Sequence, residues 1–92
     1  MFQLLWEQVA LDELAQLWLN LDQLERTAVN FAIEEIEILL KERADSAGES
    51  RARPSERVLI HQPLGLFFNI EYRDRQRTAV IQHVWPIYKA SL

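Results

Sequence analysis

Two amphipathic helical patterns separated by about two residues are the feature that most constrains how this chain can fold. Apolar residues recur at intervals of three and four over residues 9–20, and a second pattern of the same period covers residues 23–42. Asp22 and Glu25 have the spacing of a capping box, which marks the start of the second helix. Because the link is this short, the second helix must run back along the first, and we expect an antiparallel helical hairpin.

The remaining segments predict strands around one long polar loop. Residues 2–6 alternate weakly, and stronger strand patterns cover residues 57–62, 64–72 and 78–85. Residues 44–56 predict the long loop, and residues 73–77 the turn of a hairpin. Strict alternation in the last strand would place His83 and Trp85 on the same face as Ile81.

The order β-α-α-β-β-β predicts an α+β fold. In it, the helical hairpin packs on one face of a mostly antiparallel four-stranded sheet, within one domain spanning residues 1–92.

The amino-acid composition excludes several classes of protein. The 92 residues include no cysteine, two glycines and 49% hydrophobic residues, which excludes a disulfide scaffold and a disordered chain. No apolar run reaches the roughly 18 to 20 residues that cross a bilayer. Without an export signal in the sequence, the cytoplasm is the expected location, with no membrane, metal or cofactor involved.

Charge is divided unevenly along the chain, whose formal net charge is −4. Residues 1–45 contain ten of the 14 acidic residues, and residues 46–92 contain seven of the ten basic ones. A dipolar surface of this kind can steer a polyanion to one side of a protein. The ordinary alternative is that helices carry glutamate for its helix propensity and loops carry solvated arginine.

Several segments together resemble the RelE/ParE superfamily of type II toxin–antitoxin toxins, in a divergent branch. They are LDELAQLWL, an R-x-A-V near the start of the second helix, GESR, RVLIHQPLGLFFNIEY and TAVIQHVWPI. The resemblance covers roughly residues 3–88. It implies a toxin neutralised by a cognate antitoxin, which typically wraps a helix or an extended segment around the sheet and the helical hairpin.

The resemblance implies a RelE-like activity, with a ParE-like activity or an inactive homologue as the alternatives. RelE-like members are endoribonucleases that cleave messenger RNA on the ribosome without metal, and so inhibit translation. ParE-like members inhibit DNA gyrase without proton chemistry, and an inactive homologue would bind only its antitoxin. Fold alone does not choose among these activities. The arginine that RelE-like enzymes carry on the middle strand is replaced in PLGLF by Gly65, and WPIYK stands where they carry a basic segment.

Three residues are the candidates for RelE-like catalysis. His83 has a side chain that can exchange protons near neutral pH, and Tyr88 can stack on a base or act as an acid. Arg57 can bind phosphate beside the long loop. The structural alternatives are a half-buried strand residue for His83, terminal packing for Tyr88 and a solvated charge for Arg57. His61 is expected on the face of Leu59.

Five further arginines are candidates for contacts with nucleic acid. Arg51 and Arg53 lie in the long loop, and Arg73, Arg75 and Arg77 cluster at the hairpin turn. Charge at a turn can also protect a sheet edge from aggregation.

Overall fold

The computed structural model describes residues 1–87, which form two helices and five strands. The elements are β1 (Gln3–Trp6), α1 (Gln8–Leu19), α2 (Gln23–Arg43), β2 (Glu49–Ser50), β3 (Glu56–His61), β4 (Leu64–Arg73) and β5 (Gln76–Pro86). The α+β class and the positions of both helices agree with the prediction. Within the described range, no helix is long and apolar enough to cross a bilayer.

The sheet is mixed and has five strands in the order β1-β5-β4-β3-β2. β1 pairs with β5 in parallel, and the other three pairings are antiparallel. The prediction of four strands was wrong because β2 lies within the segment expected to be loop. Gly48, with a φ of 67°, turns the chain there, and Glu49 and Ser50 then pair with Val58 and Arg57.

The predicted capping box begins α2. The Asp22 carboxylate accepts a hydrogen bond from the backbone N–H of Glu25 at 2.8 Å, and the Glu25 carboxylate accepts one from the N–H of Asp22 at 2.9 Å. These contacts satisfy two groups that the first turn of a helix leaves unpaired. α1 begins at Gln8 without such a cap, since the Glu7 side chain makes no capping hydrogen bond and the first turn contains no acidic residue.

The helices run beside each other in opposite directions. Arg26, near the start of α2, stacks over the Trp18 ring near the end of α1, with 5.3 Å from its guanidinium carbon to the ring centroid. Leu11 and Leu14, near the start of α1, line the same groove as Ile33 in the middle of α2. This order of neighbours agrees with the hairpin that the short link predicts.

One hydrophobic core joins the helices to a single face of the sheet. Ile36 and Leu40 of α2 and Leu66 and Phe68 of β4 are fully buried in it. Removing a side chain of this size from such a core typically costs about 2–5 kcal/mol. We call this side of the sheet the helix face and the opposite side the open face.

β5 contains a bulge that the alternating sequence pattern did not predict. Phe67 pairs with His83 and Phe68 with Ile81, so Gln82 is an extra residue in β5. Ile81 and Val84 both belong to the helix-side core. The expectation that His83 and Trp85 share a face with Ile81 was therefore wrong.

The β4–β5 hairpin is tighter than predicted. Its strands continue to the pair Arg73 and Gln76, leaving a two-residue turn of Asp74 and Arg75 instead of one spanning residues 73–77. Both turn residues have positive φ, at 49° and 66°. Positive φ at both central positions is the conformation that matches the twist of paired strands.

Candidate functional site

The open face of the sheet presents an apolar surface that no other described element covers. Paired residues on neighbouring strands share a face, and successive residues alternate. Leu66 and Phe68 lie in the helix-side core, so Gly65 and Phe67 and their partners lie on the open face. Its apolar residues with exposed surface are Leu5, Val58, Ile60, Phe67 and Trp85, whereas Val80 on the same face is fully buried.

Trp85 lies across this face directly over Gly65. A Cβ atom at position 65 would come within 2.5 Å of the indole Nε1 of Trp85, so no other residue fits beneath the ring. The same indole borders a hollow of about 480 Å³ lined also by Ile60, Val58 and Arg51. An aromatic ring beside an arginine is an arrangement that can hold a stacked base and its phosphate.

His83 also lies on the open face, where the bulge places it. Its ring centroid is 6.4 Å from that of Phe67. On its other side, the Nδ1 atom lies 3.3 Å from both carboxylate oxygens of Glu13. The Glu13 carboxylate also accepts a hydrogen bond from the backbone N–H of Val84 at 3.1 Å. His83 is therefore exposed but held by a contact between α1 and β5.

Arg57 lies on the opposite face of the sheet from His83. It pairs with Phe68, whose side chain is buried in the helix-side core. Its guanidinium donates hydrogen bonds to the backbone carbonyls of Ala47 at 2.6 Å and Gly48 at 3.1 Å. These bonds hold the connection between α2 and β2, so Arg57 has a structural role that its sequence position did not reveal.

The three predicted catalytic residues are thus not brought together by the described structure. His83 and Arg57 project from opposite faces of the sheet, and Tyr88 lies outside the described residues. His61 is on the helix face with Leu59, as expected, and its Nε2 atom lies 3.5 Å from a carboxylate oxygen of Glu35. No group of three or more potential metal ligands occurs within residues 1–87.

The backbones of the five predicted nucleic-acid-binding arginines lie toward one end of the sheet, although the Arg51 residue also lines the hollow beside Trp85. Ser55, just before β3, accepts a hydrogen bond at its carbonyl from the N–H of Ile70, which places the β2–β3 connection beside the end of β4. The turn at Asp74 and Arg75 lies at that same end.

Two of these arginines are engaged in contacts within the protein. Arg73 donates a hydrogen bond to Glu71 at 2.8 Å, and Arg77 donates one to Asp45 at 2.9 Å while lying over the Phe2 ring. Arg51, Arg53 and Arg75 make no side-chain hydrogen bond or ion pair with any residue in the described range. These three are consequently the better candidates for contact with an external anion.

Glu71 has the one carboxylate near this end whose pKa is clearly shifted. The hydrogen bond from Arg73 lowers its pKa, and a second bond from the Asn69 amide at 3.0 Å lowers it further. Both donors favour the charged carboxylate over the protonated acid. Glu71 consequently stays ionised and partly neutralises the charge of Arg73.

A second apolar surface lies on the other side of the molecule, between the helices. This interhelical groove has a volume of about 430 Å³ and is lined by Leu11, Leu14, Ala15, Trp18, Leu19, Asn30 and Ile33. The groove itself was not predicted from the sequence. Its signal was the presence of Leu11 and Leu19, which extend the apolar stripe of α1 beyond the width that one core contact needs.

Neither a protein-family model nor a curated protein sequence matches this chain.

Proposed function

We propose that this protein is the toxin component of a type II toxin–antitoxin system. The observation that carries the proposal is the pair of uncovered apolar surfaces on opposite sides of one small domain, the interhelical groove and the open face of the sheet. Exposed apolar surfaces rimmed by polar residues can mark protein interaction sites. An antitoxin that wraps around both the hairpin and the sheet would cover the two together. The sequence motifs that resemble the RelE/ParE superfamily give independent support.

Within this class, the arrangement of residues favours a toxin that binds its target over one that cleaves RNA. Metal-free cleavage requires groups that remove a proton, protonate the leaving oxygen and stabilise the phosphorane around one phosphate. Arg57 and His83 lie on opposite faces and cannot act on the same phosphate, and each already contacts neighbouring groups. We therefore favour a ParE-like, non-enzymatic inhibitor of DNA gyrase.

RelE-like cleavage of ribosome-bound messenger RNA is the second candidate. It is favoured by the position of His83 beside Phe67 on the open face, where a proton-exchanging group adjoins an aromatic ring. An inactive homologue that binds only an antitoxin is the third.

The decisive experiment adds the purified protein to two reactions in parallel. One is DNA supercoiling by gyrase, and the other is cell-free translation followed by primer extension to map new messenger RNA ends. Inhibition of supercoiling with intact message would support the favoured function. Cuts at codon spacing on translated message alone would instead establish the nuclease. No effect in either reaction, together with harmless expression in a bacterial host, would contradict toxin activity.

If the nuclease is found, a double substitution tests its chemistry. His83→Ala with Tyr88→Ala should abolish cleavage, whereas retained toxicity in that variant would show that these side chains do no proton transfer. Glu34→Gln, on an exposed part of α2 away from His83, is the matched control and should leave cleavage unchanged.

A further inference from the structure

The outer side of α2 carries a row of large apolar residues that are mostly exposed. Leu24, Phe31 and Ile38 are 80%, 62% and 58% exposed. They are seven residues apart, so in a helix of 3.6 residues per turn they lie almost on one line. We call this row the α2 stripe. It points away from the core contacts that α2 makes through Val29 and Ile36.

The α2 stripe is separate from the interhelical groove. A row of polar residues runs between the two surfaces along α2. It consists of Thr27 and Glu34, and Asn30 next to it already lines the groove. A partner seated in the groove would consequently leave the stripe exposed.

We propose that the α2 stripe is the contact surface of a homodimer in which the α2 helices of two copies pack antiparallel. The row is symmetric, because Leu24 and Ile38 lie seven residues on either side of Phe31. Twofold symmetry requires one surface to be complementary to itself. An antiparallel copy meets this requirement, with Phe31 against Phe31 of the second copy at the axis and Leu24 against Ile38 of the second copy.

The charges beside the stripe favour the antiparallel arrangement over the parallel one. One flank carries Thr27 and Glu34, and the other carries Ala28 and Glu35. In antiparallel helices like flanks meet, so Glu34 falls close to Thr27 of the second copy and Glu35 close to Ala28. In a parallel pair, the Thr27 and Glu34 flank of one helix would face the Ala28 and Glu35 flank of the other. Glu34 would then lie beside Glu35 of the second copy, and the two carboxylates would repel each other.

The dipole of α2 favours the same arrangement. Antiparallel packing sets the two helix dipoles in opposite directions, so the positive N-terminal end of each helix lies beside the negative C-terminal end of the other. The charged side chains at the ends add nothing to this preference, because the last turn holds Glu42 in line with the stripe as well as Lys41 and Arg43.

The size of the stripe sets the strength of the dimer. Standard interfaces bury about 800 Å² on each partner, and three side chains with their neighbours supply less than this. We therefore expect a weak dimer, with a dissociation constant on the order of 100 μM. A second copy suits so small a surface because twofold symmetry uses each contact twice.

Sedimentation velocity over a wide concentration range tests the dimer directly. The wild-type chain should shift from monomer to dimer as its concentration rises. Phe31→Glu should remain monomeric, because it sets two carboxylates against each other at the twofold axis. Leu19→Glu is the matched control, since Leu19 is 69% exposed but lies on α1 beside the groove. Circular dichroism checks that both variants are folded.

The control also distinguishes the competing surface. Loss of association in Leu19→Glu but not in Phe31→Glu would place the contact at the groove and overturn the proposal. A wild-type chain that stays monomeric to about 1 mM would overturn it as well. Neither result bears on toxin activity, because the dimer is inferred from α2 alone.

Cysteine cross-linking tests the orientation, which the absence of natural cysteine makes straightforward. Under mild oxidation, Phe31→Cys should form a disulfide-linked dimer. Leu24→Cys should cross-link poorly with itself but readily with Ile38→Cys in a mixture of the two proteins. Self-linking of Leu24→Cys as rapid as that of Phe31→Cys would show a parallel pair and contradict the antiparallel one.

Discussion

At the scale of single residues, arginines that look alike in the sequence have different functions in the structure. Arg57 is bonded to two backbone carbonyls, and Arg77 lies over Phe2 beside Asp45. Arg51 and Arg53 extend from the nearby β2–β3 connection without such contacts in the described range. Sequence alone could not separate these roles, because the partners of Arg57 and Arg77 are distant in the chain or belong to the backbone.

Substitution of Arg57 should therefore affect stability before it affects any activity. Arg57→Ala removes two charged hydrogen-bond donors from the Ala47 and Gly48 carbonyls, and we expect the free energy of unfolding to fall by about 2 kcal/mol. Urea denaturation measures the change. Arg53→Ala is the matched control and should alter the same quantity by less than about 0.5 kcal/mol. Equal effects of the two substitutions would contradict the structural role.

Glu71 should make part of the stability dependent on pH. The hydrogen bonds from Arg73 and Asn69 lower its pKa in the folded state from the ordinary value of 4.5. The stabilisation is therefore complete above that ordinary value and is lost as the pH falls through the lowered folded pKa.

Glu71→Gln should accordingly be less stable than the wild type at pH 7, by about 0.5–1 kcal/mol, and the difference should shrink in strongly acidic solution. Urea denaturation at pH 7 and pH 3 provides the comparison. Glu34→Gln, on an exposed part of α2, is the matched control. A Glu71→Gln difference that grows on acidification would contradict the sign of the pKa shift.

At the scale of elements, both helices and four of the five strands could be predicted from the sequence. Periodicity and the capping box at Asp22 and Glu25 are local signals, and they were sufficient for α1 and α2. β2 was missed because two residues are too few to show alternation, and its position depends on Gly48 and Arg57. The face of His83 was missed because a bulge inserts one residue without any local mark.

The β4–β5 turn offers a test of local strain. Arg75 has a φ of 66°, a conformation that glycine adopts at little cost and arginine does not. Arg75→Gly should raise the free energy of unfolding by about 0.5–1 kcal/mol, measured by thermal or urea denaturation. Arg73→Gly, within the adjacent strand, should lower it instead. A destabilised Arg75→Gly variant would show that the arginine side chain contributes more than its backbone strain costs.

At the scale of the whole molecule, the arginines that make no side-chain hydrogen bond or ion pair in the described range gather toward one end of the sheet. Arg53 and Arg75 lie near the end that holds the β4–β5 turn, and Arg51 follows β2 on the same side. Acidic residues are not confined to the opposite end, because Glu71 pairs with Arg73 and Asp45 with Arg77 near this turn. These three arginines, and not the charge imbalance between the two halves of the sequence, therefore define the basic site.

The three arginines predict how any binding to nucleic acid would respond to salt. The triple substitution Arg51→Gln, Arg53→Gln and Arg75→Gln should reduce the slope of log affinity against log salt by about 2 for single-stranded RNA. Fluorescence anisotropy at several salt concentrations measures the slope. Arg26→Gln, whose side chain stacks on Trp18 in the helical hairpin, should leave it unchanged. An unaltered slope in the triple variant would exclude these arginines as the contact.

The bulge in β5 also marks a position where the protein could lose one residue, through deletion of a single codon, without turning the strand over. Deleting one residue from a regular strand turns every later side chain to the wrong side of the sheet. Deleting Gln82 would instead leave Ile81 and Val84 facing the helices and Trp85 over Gly65, because Gln82 is the unpaired residue. β5 is therefore a strand that can be shortened by one residue at that point while its inner and outer surfaces keep their identities.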